Sequence, residues 1–160
     1  KVASCLTQTQ NILTQRSLLP ACAAEVTLDA SSLQAGDAAG LCVLQSCWGW
    51  IGLRRDEVGY RLVMQSRQPE DSEVGVERMS LPWALDWVRL RAEMHFSPEA
   101  DWATFFYWDQ GGWQPLGEPH QLYFRLDHFT GNRFGLFVQS TQQAGGEAAF
   151  SQFVLQPLEK

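Results

Sequence analysis

The residues of this 160-residue chain best suited to chemistry lie on one alternating run, Trp87-Val-Arg-Leu-Arg-Ala-Glu-Met-His-Phe96. Val88, Leu90, Ala92, Met94 and Phe96 point one way. Trp87, Arg89, Arg91, Glu93 and His95 point the other. That period of two belongs to a strand with one face in a core. A glycoside-cleaving site on such a face needs two acids, one as nucleophile or base and one as acid. The run supplies Glu93 alone, between Arg91 and His95. A salt-bridged surface residue is the ordinary role for such a glutamate. His95, His120 and His128 lack metal-ligand spacing, and no nucleophile elbow, phosphate loop or H-E-x-x-H is present. The residues therefore read as a non-catalytic domain.

A binding face is the better use of this set. Trp48, Trp50, Trp87, Arg89, Arg91, Glu93, His95, Phe137 and Gln139 are expected to share one sheet face. Sugar rings pair apolar C–H patches with hydroxyls, which suits indoles beside Arg and Glu. The same composition suits docking onto another domain, because interfaces are rich in Trp, Phe and Arg and poor in Lys. The residues alone leave both open.

The elements that position this face are short strands. After Ser97-Pro-Glu-Ala100 comes Asp101–Trp108, with Trp102, Thr104, Phe106 and Trp108 on one side and Ala103, Phe105 and Tyr107 on the other. The two runs form a hairpin near the middle of a sandwich, the second strand being apolar on both faces. Asp109-Gln-Gly-Gly112 is a hairpin turn, and Trp113–Leu116 returns from it. Further strands are read at Cys22–Ala30, Gly40–Ser46, Trp50–Arg54, Tyr60–Gln65, Glu73–Met79, Gln121–Leu126, Phe134–Ser140 and Glu147–Leu155. One or two short strands are read within residues 1–21. Strands at this spacing, with Gly, Pro and Asp turns and no amphipathic helix, predict an all-β fold: a two-sheet antiparallel β-sandwich of jelly-roll type.

Length predicts a single domain over 1–160. A net charge of −6, with the only two lysines at the ends, argues against nucleic acid. No apolar run has the ~18 residues of a membrane helix. Cys5, Cys22, Cys42 and Cys47 match no zinc pattern. They are expected as free, partly buried thiols; a Cys5–Cys22 bridge is the alternative, and the compartment stays open. Seven Trp and nine Phe mean either a thick core or a stacking surface.

Asn11-Ile-Leu-Thr-Gln-Arg16, Gly36-Asp-Ala-Ala-Gly-Leu41, Trp48-Gly-Trp-Ile-Gly-Leu53 and His128-Phe-Thr-Gly-Asn-Arg-Phe-Gly-Leu-Phe137 form an ordered set along the chain. It resembles the C-terminal domain of family 43 glycoside hydrolases, the β-xylosidases and α-arabinofuranosidases of plant cell-wall breakdown. The resemblance implies a concanavalin A-like sandwich packed on a five-bladed catalytic β-propeller. The propeller would hold the three catalytic acids, none of them in this chain. It also implies that Phe129, in the loop beginning at His128, closes one wall of a xylose pocket. The residues alone also allow Phe129 to fold back as a plug. Related modules bind xylan directly, so an independent xylan-binding role is the alternative. The domains of this family begin earlier, with a Trp-containing strand, which this chain is expected to lack. Their closing strand is acidic, whereas Ala149-Phe-Ser-Gln-Phe153 has no carboxylate for calcium. No cofactor is expected, and a structural calcium is poorly supplied with ligands.

Overall fold

The structure, a computed structural model, describes residues 1–123 and 131–159. In chain order, after a 3-10 turn at Leu6–Gln8, the strands are β1 (Ile12–Arg16), β2 (Ala21–Asp29), β3 (Asp37–Leu44), β4 (Gly49–Arg55), β5 (Tyr60–Ser66) and β6 (Val76–Trp83). They continue as β7 (Trp87–His95), β8 (Asp101–Asp109), β9 (Gly112–Pro115), β10 (His120–Leu122), β11 (Arg133–Ser140) and β12 (Ala149–Pro157). One sheet runs β1-β11-β3-β4-β5-β6. The other runs β10-β8-β7-β2-β12, with β9 also paired to β8. The strand pairings are antiparallel, and the expected two-layer sandwich is what forms.

Alternation in the sequence becomes the core. Val88, Leu90, Ala92 and Met94 of β7 are buried against Cys22, Ala24, Val26 and Leu28 of β2. Leu41 and Val43 of β3, Ile51 and Leu53 of β4, and Leu62 and Met64 of β5 meet them from the opposite sheet. Burying each such side chain is worth about 1.5–3 kcal/mol. The predicted central hairpin is present as β7 and β8, with Ala103 and Phe105 buried on its inner side. The turn from β8 to β9 has two central residues, Gln110 (φ 50°) and Gly111 (φ 77°). Positive φ at both positions matches the right-handed twist of the flanking strands. Pro82 sits in β6, the margin of its sheet, where a missing N–H breaks no interior ladder.

Besides β3, which spans Asp37–Leu44 rather than Gly40–Ser46, three strands fall differently from the sequence reading. β6 begins at Val76 and runs on through Leu81-Pro-Trp83, because Leu62, Arg61 and Tyr60 pair with those residues. The second, read as Gln121–Leu126, is β10 over His120–Leu122, and residues 124–126 lie outside the described residues. The last begins at Ala149 rather than Glu147 and breaks step between Ser151 and Val154, where Gln152 has φ 54°. Phe153 and Val154 beside that break are exposed.

A second cluster was not visible in the sequence. Leu6, Ala38, Cys42, Trp48, Trp50, Val63 and Phe137 pack together on the outer side of the first sheet. The N-terminal segment lies over them: Ala3 N–H donates to the Ser140 carbonyl at 2.9 Å, and Gln139 Nε2 donates to the Ala3 carbonyl at 3.1 Å. The edge of the Trp50 ring meets Phe137 at 5.2 Å between centroids. A strand's two faces can both be dry when a third segment covers the outer one.

The four cysteines are thiols rather than disulfides, and they are fully rather than partly buried. Burial pushes the Cys42 thiol up to about 12 and raises that of Cys22. Thiolate is the reactive form. The native chain at pH 8 is therefore expected to give almost no signal with a thiol-disulfide reagent, and all four groups in strong guanidinium. Rapid labelling of Cys42 without denaturant contradicts this arrangement.

Candidate functional site

The outer face of the second sheet gathers most of the sequence-predicted polar and aromatic residues. Register does the gathering. Arg91 sits opposite Glu25 on one side and Phe106 on the other. Glu93 faces Ala23 and Thr104, and His95 faces Trp102. Neighbouring strands are about 4.8 Å apart, so long side chains in one row touch. Arg91 Nη1 pairs with Glu25 Oε1, and its Nη2 and Nε reach Glu93 Oε1 at 2.8 and 2.9 Å. His95 Nε2 lies 3.1 Å from Glu93 Oε2.

This row settles what two carboxylates on one face can do here. The guanidinium of Arg91 fills the gap between Glu25 and Glu93. A hydrolytic pair keeps that gap for a water or a glycosidic oxygen. Its planar fork instead locks strands β2 and β7 together. Among the described residues, no group of three or more His, Cys, Asp or Glu converges as metal ligands.

Further along the face the character changes. Arg89 stacks on two indoles, with its guanidinium carbon 4.7 Å from the Trp108 ring and 5.3 Å from that of Trp113. The two rings meet edge to face at 5.3 Å. Trp87 begins β7 with 46% of its surface exposed. Beside it is a cleft of about 420 Å³ lined by Trp83, Leu85, Trp87, Arg89, Trp108 and Asp109, among others. Trp83 Nε1 donates to the Trp87 carbonyl at 3.0 Å, fixing the cleft's floor.

Trp87, Arg89, Arg91 and Glu93 thus share one face as expected, and Trp50 does not. Trp50 belongs to β4 of the other sheet and is only 3% exposed; Phe137 and Gln139 lie on β11 of that same sheet, and Trp48 immediately precedes β4. Alternation says which residues point outward but not from which layer. His128 and Phe129 lie in 124–130, outside the described residues. The sequence reading missed Glu25 as the partner of Arg91, since the two are 66 residues apart and only register joins them. It also missed Trp113 and the cleft residue Trp83. Trp102 and Trp108 were put on one side of their strand, but not among the residues of the outer face.

His120 is a further buried group. It opens β10 at 2% exposure, with Nδ1 2.8 Å from Gln68 Nε2. Burial lowers its pKa to about 4, opposed by a backbone hydrogen bond at Cys47 and assisted by the charge of Arg78.

Two antiparallel sheets around one core, with an aromatic and arginine-bearing outer face, define a concanavalin A-like β-sandwich. The chain belongs to the β-xylosidase C-terminal concanavalin A-like domain family, whose match spans residues 3–156. It is similar to a bifunctional family 43 glycoside hydrolase–CE protein of Bacteroides eggerthii: TM-score 0.92, 30% identity, covering 100% of this chain and 20% of that one. It is also similar to a family 43 glycoside hydrolase whose engineered active site displays both endo-xylanase and exo-arabinofuranosidase activity. There the TM-score is 0.89 at 26% identity, covering 99% of this chain and 33% of that one. A xylan β-1,4-xylosidase from Bacillus halodurans shares the fold at TM-score 0.73 and 19% identity, over 93% of this chain and 30% of that one. No curated protein matches the sequence. The chain spans about a fifth to a third of the length of the solved proteins it resembles.

Proposed function

We propose that this chain is the non-catalytic accessory domain of a glycoside hydrolase acting on xylan or arabinoxylan. It packs on a catalytic β-propeller and lends that domain's sugar pocket an aromatic wall, Phe129, beside His128. The observation that carries the reading is coverage: this sandwich superimposes on only a fifth to a third of the length of the family 43 proteins it resembles. The Arg91 clamp on Glu25 and Glu93 supports it, because it leaves these two acids no room for hydrolysis. So does the position of the strands that flank 124–130. Leu122 pairs with Asp101 at the start of β8, and Arg133 pairs with Leu44 and Arg16. Both therefore reach the end of the sandwich where β7 finishes at His95. We assign the Arg91–Glu93–His95 row and Trp102, at that end, to the side facing the propeller.

In the full enzyme that carries this domain, Phe129→Ala is expected to lower kcat/KM on xylobiose about tenfold, or ~1.4 kcal/mol of transition-state binding. Wild-type kinetics in that variant would overturn the pocket role. A xylan platform made of Trp48, Trp50 and Trp87 together does not form, because Trp48 and Trp50 are sealed in the outer cluster of the other sheet and only Trp87 is open.

A further inference from the structure

We propose that the cleft between the end of β6 and the start of β7 is a second saccharide-binding site, separate from the pocket assigned to Phe129. Its ligand is an uncharged sugar chain, with a ring face on Trp87 and ring hydroxyls on Arg89 and Asp109. The site lies at the opposite end of β7 from His95. At about 3.3 Å per residue, the nine residues of that strand separate the two by roughly 25 Å. A pentose chain held here would be gripped away from the place where it is cut.

Three features of the lining carry the argument. Trp87 keeps nearly half its surface open at the cleft although it is the kind of residue that usually buries most of its area. Arg89 is held in place by stacking on Trp108 and Trp113, and among the described residues it joins no ion pair. The two rings, 5.3 Å apart and nearly perpendicular, lie on one side of the guanidinium, and N–H donors on its other side are left for a ligand. Asp109 then adds an acceptor on the same rim. A hydroxyl both donates and accepts, so a rim with an arginine and an aspartate around an indole fits a polyol ring. An aliphatic ligand would strand both charged groups. An anion would meet Asp109 and a chain of net charge −6. The volume of about 420 Å³ lies within the range of small-ligand clefts. The mixture of Arg89, Asp109 and Gln110 with three indoles is also typical of one.

The choice of pentose probes rests on the proposed function; the cleft's chemistry does not. The test is calorimetric titration of this chain with xylohexaose and with arabinohexaose. Saturable heat with either probe is expected, weakened at least tenfold by Trp87→Ala and by Arg89→Gln. Leu13→Ser, on an exposed residue of the other sheet, is expected to bind as wild type. No heat with either sugar overturns the proposal, as does undiminished binding by both cleft variants. Should a variant fail to fold, indole N–H resonances of the wild-type chain decide instead. The Trp87 signal must shift on adding sugar while that of buried Trp48 stays in place. Kinetic loss from Phe129→Ala with no binding here refutes the cleft alone; binding here with unchanged Phe129→Ala kinetics refutes the pocket role alone.

Discussion

Gly52→Ala is expected to cost the domain about 3 kcal/mol, felt as a fall of roughly 10 °C in Tm. Gly52 faces Gly40 directly across β3 and β4. A Cβ on Gly52 would come 2.0 Å from the Ala39 carbonyl oxygen, and one on Gly40 would come 2.1 Å from that of Ile51. Both obstacles are backbone, so no rotamer change relieves them. The strands cannot part easily either. Ile51, Leu53 and Leu41 anchor their inner faces in the core, and Trp50 and Cys42 anchor the outer ones. Gly40→Ala should behave the same way. Gly112→Ala is the control, since its nearest obstacle is the flexible amide of Gln114 at 3.8 Å, and it should melt within a degree or two of wild type. Equal melting of Gly52→Ala and Gly112→Ala would mean that the strand approach is looser than described.

Mild acid should weaken the fold through one group. The ordinary histidine value is 6.5, and burial takes His120 down to about 4. Above pH 6.5 the ring is neutral in both folded and unfolded chains, and its contribution is complete. Between pH 6.5 and 4 the unfolded chain binds the proton and the folded one does not, so stability falls as acid is added. Below pH 4 both are protonated and this loss stops growing. The full span is about 3 kcal/mol. Urea midpoints of wild type at pH 7.5 and pH 4.5 should therefore diverge much more than those of His120→Gln, which cannot titrate but can still reach Gln68. Parallel pH dependence in the two proteins would rule out His120 as the source.

The fold was legible where alternation was clean. Val88 to Met94 announced the inner face of β7, and the Asp-Gln-Gly-Gly turn announced the hairpin that follows β8. The candidate face was legible in part. Arg89, Arg91 and Glu93 could be placed together because they share a strand, while Glu25 could not, because nothing local to it says that β2 lies beside β7. Trp50 shows the matching limit on the other layer. Its outward direction was readable from Ile51 and Leu53, but its burial depends on the outer cluster that Leu6 joins, and that contact spans more than forty residues of chain. His120 showed in the sequence as a histidine without metal-ligand spacing. Its burial follows from pairing with Ala103, a tertiary fact.

The break in β12 has an outcome beyond the shape of one strand. The outermost strand of the second sheet would otherwise present an unbroken row of amide and carbonyl groups, with Phe153 and Val154 as greasy handholds. The left-handed twist at Gln152 throws that row out of phase midway. A second molecule trying to zip onto it finds its own groups mismatched after a few residues.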